Sequence, residues 1–369
     1  MTLLRVGLLV NPVAGLGGPG AYKGSDLDWR EALARGYVPP APERAARLVE
    51  EVGDAVAWRT LPGAMGVGDL PRVDLPGDLA LGRTSPEDTR RGARALRDAG
   101  VDLLCFVGGD GTATDVAAAV DAELPCLGVP AGVKVTSAVF AHDVEEAAWL
   151  LANLADRFES VARDVTDLDE AAYRAGRVQV RLTGTLLVPR SPAVQGGKVA
   201  TTLDTPLDPI VDMALEDWDP QDLHLIGAGS VCLALKKRFW GEPTLLGLDA
   251  VRGDRIVATD LDDRRTEALL DEAGHGGQRV HLVLSPIGGQ GMLIGRGTQM
   301  LRPDLLRRIG WERLRVIAPP EKLLGLRGLH VDSGDPAWDE AAPGHIRVIT
   351  GWNETRLMRV LHGADVQPS

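Results

Sequence analysis

Three near-continuous apolar runs, Leu3 to Val10, Val101 to Val107 and Leu124 to Val129, constrain the fold more than any other feature of this chain. A strand without a polar face is one covered on both sides, as in the interior of a parallel sheet. Each run stops at a glycine-containing turn and is followed by helix-compatible sequence, the βαβ rhythm of a doubly wound domain. Pro42 to Val52 has helical spacing. Ser85-Pro86-Glu87-Asp88 combines an N-cap, a proline at the first helical position and an acid three after the cap, predicting a helix over Pro86 to Ala99. Ligands in such sheets bind beyond the carboxyl ends of the strands, so Asn11, Gly108 and Gly132 are expected to line one site.

The pattern changes after a helical stretch at Ala141 to Phe158. Short strand candidates follow: Val178 to Leu182, Thr185 to Val188, Leu245 to Val251, Arg255 to Asp260 and Val280 to Leu284, with one helix near Asp262 to Ala273. The link Arg252-Gly253-Asp254 has hairpin length and favours antiparallel pairing. Strand-like Leu314 to Ala318 and Ile346 to Thr350, then helix-like Glu354 to His362, look α/β again. The expected division is an α/β domain over residues 1–150, completed by about 330–369, and a mostly antiparallel β domain over 151–329.

A length of 369 residues suits two domains. The net charge of −12 argues against adhesion to nucleic acid or to an anionic membrane, since both favour clustered lysine and arginine. Three scattered cysteines, Cys105, Cys126 and Cys232, make neither a disulfide framework nor a metal cluster, and a reducing cytoplasm is the expected compartment. No apolar run is long enough to span a bilayer. The seven histidines form no pair at metal-ligand spacing, so zinc chemistry is not supported and no metal ligand is assigned.

Chemistry concentrates in Phe106-Val107-Gly108-Gly109-Asp110-Gly111-Thr112, a strand running into three glycines around one carboxylate. Glycines permit positive φ and let a phosphate approach the backbone, while a following helix presents free N–H groups. Thr112 is expected to cap that helix, with Asp115 completing a capping box. Asp110 either takes a proton from an attacking hydroxyl, helps to hold a metal, or makes only an Asx-type hydrogen bond within the turn. Lys134 and Lys198, each near glycines, meet phosphate as mobile charges or lie on the solvated surface. Asp332, Asp335 and Asp339 read as a loop with capping duties. Ser285 to Arg296, with Gly288, Gly289 and Gly291, is either a plain hairpin or a second backbone surface.

Gly108-Gly109-Asp110-Gly111-Thr112 resembles the signature shared by NAD kinases and by diacylglycerol and sphingosine kinases. Val10-Asn11-Pro12-Val13-Ala14-Gly15 is similar to their first Gly-rich loop, and Leu127-Gly128-Val129-Pro130-Ala131-Gly132 to their next nucleotide-side turn. Leu284-Ser285-Pro286-Ile287 followed by Gly295-Arg296-Gly297 looks like the hairpin of the NAD kinase C-terminal domain. The combination with Pro130 to Ser137 and Val331 to Asp335 looks most like a divergent branch of ATP- or polyphosphate-dependent NAD kinases.

The resemblance implies two domains with the active site between them, and transfer of a phosphoryl group to the 2′-hydroxyl of NAD. Its donor would be ATP or polyphosphate, with Mg2+. Asp110 would be the general base. Asn11, Gly108, Gly109, Gly111, Thr112, Gly132 and Lys134 would bind nucleotide and phosphate, and Gly229, Ser230 and Gly289 the acceptor. A homo-oligomer is expected, with no nucleic-acid or membrane partner. The Asn-Glu pair of typical NAD kinases has no counterpart, since Leu186-Leu187-Val188-Pro189 stands in its place, and Gly227-Ala228-Gly229-Ser230 only partly echoes their Gly-Ser-Thr segment. A kinase of another small-molecule or lipid hydroxyl, and a non-catalytic nucleotide-binding regulator, are therefore the alternatives.

Overall fold

The computed structural model describes residues 3–18, 29–120, 124–132, 135–154, 158–168, 180–191, 193–194 and 206–362. They form two units. Among the described residues the first takes 3–17 and 29–194, and the second takes 18 and 206–362.

The first unit is built on a four-stranded parallel sheet. Its elements are β1 (Arg5–Val10), α1 (Trp29–Ala34), α2 (Ala41–Val52), β2 (Ala57–Thr60), α3 (Pro86–Asp98), β3 (Leu103–Gly108), α4 (Asp110–Val120), β4 (Cys126–Pro130) and α5 (Val144–Asn153). The antiparallel pair β5 (Ser160–Leu168) and β6 (Val180–Pro189) follows. The strand order is β2-β1-β3-β4. All six residues of β3 and all five of β4 are buried, so these apolar runs have a layer on each face. Helices α2 and α5 pack together and α3 packs on α4, giving those two layers. At the start of α3 the capping box is formed, Ser85 and Asp88 each bonding the other's backbone N–H.

Strands β5 and β6 belong to this unit, which moves the boundary well past residue 150. Val165, Leu186 and Val188 lie in the same core as β1, β3 and β4, and both strands contact α4.

In the second unit the elements are α6 (Asp208–Leu215), β7 (Leu223–Ile226), α7 (Ser230–Lys236), β8 (Asp249–Arg252), β9 (Arg255–Ala258), α8 (Asp263–His275), β10 (Val280–Leu284), β11 (Met292–Ile294), α9 (Pro303–Ile309), β12 (Leu314–Ile317), α10 (Pro320–Leu323), β13 (Leu329–Val331), α11 (Pro336–Glu340), β14 (His345–Gly351) and β15 (Glu354–Leu361). One nine-stranded mixed sheet has the order β11-β13-β15-β14-β12-β10-β7-β8-β9. The antiparallel pairing expected for this half is present at β7-β8-β9 and at β14-β15, and Arg252-Gly253-Asp254 turns the β8-β9 hairpin. Its middle, β7-β10-β12-β14, is parallel, because helices such as α8 and α9 carry the chain between those strands.

Three further expectations change here. Glu354 to His362 is a strand, not a helix, and β15 pairs with β13 and β14, so this segment completes the second unit's sheet and not the first domain. Asn353 at φ 55° makes the tight turn before it. The 285–297 segment is no simple hairpin, since β11 runs parallel to β13 at the sheet edge. The single helix expected near Asp262 is α8, and α6, α7 and α9 join it. Asp335 does cap a helix, accepting from the N–H groups of Ala337 and Trp338 in α11.

Candidate functional site

The strand order places β1 beside β3, with the chain leaving them toward opposite sides of the sheet. That reversal is where open α/β sheets bind ligands. Asn11 follows β1, Gly109 follows β3 and Ala131-Gly132 follow β4, so the first unit gathers the expected residues at one edge. The bonds among them are specific. Asn11 donates from its backbone N–H to Val107 O at 2.9 Å and from Nδ2 to Thr112 Oγ1 at 2.9 Å. Ala131 and Gly132 both donate to Gly108 O, at 2.8 and 3.2 Å.

The glycines serve close approach. None of Gly108, Gly109 and Gly111 uses the positive φ that glycine permits. A Cβ on Gly108 would sit 2.4 Å from Thr112 Oγ1. At Gly111 a Cβ would meet nothing within 4 Å among the described residues. Packing does not demand glycine there, whereas a ligand lying against the backbone would.

Helix α4 begins at Asp110, so Thr112 sits inside the first turn and is not its cap. The Thr112–Asp115 capping box is not formed: Thr112 Oγ1 accepts from Asn11, and Asp115 pairs with Arg90 at 2.5 Å.

Asp110 is buried and held by four donors. Thr136 gives its N–H and hydroxyl to Oδ2, both at 2.7 Å. Ser137 gives its N–H to Oδ1 at 3.0 Å and its hydroxyl at 2.6 Å. Burial pushes the Asp110 pKa up, while these hydrogen bonds from Ser137 and Thr136 favour the charged form and pull it back. Among the described residues no cation pairs with this carboxylate. Both hydroxyls have a second partner on β5. Thr136 Oγ1 lies 2.8 Å from Thr166 Oγ1, and Ser137 Oγ lies 3.0 Å from Thr166 O while accepting from Thr166 N–H at 3.0 Å.

Sequence reasoning missed Thr136, Ser137 and Thr166. The available signal was a pair of adjacent hydroxyl residues just after the Gly132 turn, where a lone buried carboxylate needs donors.

The donor set also bears on a metal. Four hydrogen-bond donors converging on Asp110 complement a negative charge, and each of its oxygens already accepts two bonds, so it does not fit as a direct ligand for a divalent cation.

Gly229, Ser230 and Gly289 belong to the second unit. Gly229 and Ser230 follow β7 and Gly289 follows β10, and those strands are parallel neighbours. Gly229 and Gly289 have φ of 109° and 78°, a backbone that favours glycine. Lys134 and Lys198 lie outside the described residues. No helix in the described residues is long and apolar enough to cross a membrane.

Two family models match the chain: ATP-NAD kinase N-terminal domain over residues 6–158 and ATP-NAD kinase C-terminal domain over residues 233–360. No curated protein matches. Among solved structures, a protein from Bacillus anthracis str. Sterne described as a candidate diacylglycerol kinase is similar at 18% identity, with a TM-score of 0.26. That match covers 44% of this chain and 43% of the other.

Proposed function

Because the chain belongs to the NAD kinase family, we propose that it transfers a phosphoryl group from ATP or polyphosphate to the 2′-hydroxyl of NAD, giving NADP. The observation that carries this reading is the Gly108–Thr112 turn, with its buried carboxylate lacking a cation among the described residues, at the β1/β3 reversal of a parallel sheet.

Phosphoryl transfer asks a protein mainly to position its reactants and to place charge where it develops. The open backbone at Gly111 and the N–H groups that begin α4 suit a phosphate. Asn11 holds Thr112 and so fixes that turn, while Ala131 and Gly132 fix the end of β3. Asp110 is the group that takes the proton of the acceptor hydroxyl. Its raised pKa makes it a stronger base than an exposed aspartate once it is ionised. Magnesium, which the family resemblance implies, would offset negative charge on the phosphoryl donor, and Asp110, whose two oxygens are taken by four hydrogen-bond donors, is not among the residues that would hold it. In the second unit Gly229, Ser230 and Gly289 form the acceptor-side backbone. A cytoplasmic homo-oligomer fits this reading.

Purified protein incubated with magnesium, NAD and either ATP or polyphosphate should form NADP, detected with an NADP-specific dehydrogenase. No product with any donor would sink the proposal. Turnover confined to another alcohol would keep the kinase and change its acceptor.

A further inference from the structure

We propose that Ser137 and Thr136 are positioning residues whose hydroxyls turn their hydrogen bonds from Asp110 to Thr166, releasing a lone pair of Asp110 for the acceptor hydroxyl. The inference rests on the reading of Asp110 as the base.

Its starting point is a conflict in the geometry. A base needs a free lone pair, yet Asp110 accepts two hydrogen bonds on each oxygen. The backbone N–H groups of Thr136 and Ser137 cannot turn away. The hydroxyls can, because rotation about one C–O bond redirects the proton, and in each case an acceptor is waiting. Ser137 Oγ reaches Asp110 Oδ1 at 2.6 Å and Thr166 O at 3.0 Å, and the N–H of Thr166 supplies a fixed donor to the same oxygen. Thr136 Oγ1 reaches Asp110 Oδ2 at 2.7 Å and Thr166 Oγ1 at 2.8 Å. Either proton can leave Asp110 without stranding a buried polar group, which would otherwise cost the desolvation of that group.

The proton balance is simple. The substrate O–H donates to the vacated lone pair, its oxygen bonds to the transferred phosphorus as the bond from phosphorus to the donor's leaving oxygen breaks, and its proton ends on Asp110. The Ser137 and Thr136 protons stay on their own oxygens throughout.

No charged side chain competes for this role among the described residues. The elements packed on α4 include α3, whose Arg90 is committed to Asp115, and the β5-β6 pair, which carries Arg163, Asp164, Asp167 and Arg181. None of these is a hydrogen-bond partner of Asp110. Burial and the bonds from residues 136 and 137 thus set its proton affinity.

Two measurements on the full chain test this. In the first, kcat for NADP formation is followed against pH for Ser137→Ala, Ser137→Thr, Thr136→Val and Thr136→Ser. Removing a hydroxyl that stabilises the carboxylate should move the acid limb of the profile up by about one pH unit, and so lower kcat by about tenfold at pH values on that limb, with KM for the donor little changed. The hydroxyl-keeping Ser137→Thr and Thr136→Ser should restore most of the rate. A merely structural role would lower the folded fraction and leave the acid limb in place, and that result overturns the proposal. So does a rate increase in Ser137→Ala, which would make the hydroxyl a plug.

The second measurement needs no turnover. With 13C-labelled aspartate, the Asp110 carboxyl resonance, assigned by its loss in Asp110→Asn, is titrated in wild type and in Ser137→Ala. An upward shift of about one unit supports the proposal and an unchanged midpoint overturns it. If wild type makes no NADP, the proposed reaction has failed, and this titration still decides whether Ser137 governs Asp110.

Discussion

Asp249 in the second unit and Asp110 in the first are both buried carboxylates that accept from a threonine's backbone N–H and hydroxyl. Thr244 donates to Asp249 at 2.7 and 2.6 Å, and the N–H of Asp260 adds a third bond at 2.9 Å. The difference is a cation. Lys236 of α7 places Nζ 3.1 Å from Asp249 Oδ2, both side chains are wholly buried, and Nζ also donates to the carbonyls of Thr244 and Gly247 at 3.0 and 2.8 Å. Asp249 with Lys236 therefore ties the 244–249 loop to α7 as a closed unit. Asp110 has the hydrogen-bond donors without the cation among the described residues, so its charge is stabilised by dipoles alone. A carboxylate in that state has affinity left for a proton, and that separates a candidate base from a structural acid.

The largest expected effect comes from removing the cation. In Lys236→Met the side chain keeps its bulk and leaves Asp249 charged, buried and unpaired, and breaking such a pair costs about 3–5 kcal/mol. Chemical denaturation should show the loss, and hydrogen exchange should place it in β7, β8 and β10 while β1, β3 and β4 keep their protection. Unchanged stability would mean that the ion pair is not what holds this loop, and the contrast with Asp110 would collapse.

Asp110→Asn comes next and acts on both stability and rate. An asparagine offers one acceptor oxygen, so its NH2 must face a fixed backbone N–H of either Thr136 or Ser137, and two donors then oppose each other in a buried site. A cost of about 1–3 kcal/mol in the first unit follows. If Asp110 is the base, kcat should also fall by something on the order of 10²–10⁴ with donor affinity little changed. Steady-state kinetics at several magnesium concentrations, on protein verified as folded, is the check. Near-wild-type turnover would remove Asp110 from the mechanism and leave it as a clasp for the 136–137 turn.

What the sequence disclosed about these sites depended on distance along the chain. The runs that became β1, β3 and β4 were legible because burial on both faces leaves an apolar signature within a few residues. The start of α3 was legible because its capping box is local. So was the glycine turn around Asp110, which lies within five residues. The partners of Asp110 are 26 and 27 residues away, and nothing in a window around Gly108 announces them. Strand β15 was misread because Glu354 to Leu361 has one long exposed stretch with no alternation, and pairing with β13 and β14 overrides the local pattern. Thr112 was misread as a cap because the helix starts two residues earlier, and its hydroxyl is then used by Asn11.

The smallest expected effect concerns a buried group of the opposite kind, an imidazole kept neutral. His224 lies on β7, stacked on Trp218 with ring centroids 3.6 Å apart, and its Nε2–H donates to Asp219 O at 2.8 Å. The groups that face it are His281, 4.9 Å away between ring centroids, and the charges of Asp222 and Arg315. Burial is the main reason that its pKa falls from an ordinary 6.5 to about 4, while the backbone bond to Asp219 opposes the shift. The sign follows from proton counting. Between pH 6.5 and 4 the unfolded chain carries a proton on this ring that the folded chain does not, so stability is full above 6.5 and declines as pH falls toward 4. By that linkage His224 should make the second unit roughly 1–2 kcal/mol less stable at pH 5 than at pH 7. His224→Phe keeps a flat ring against Trp218 and removes the titration, so its urea midpoint should change less between the two pH values than that of wild type. Equal pH dependence in the two proteins would show that His224 is not the group responsible.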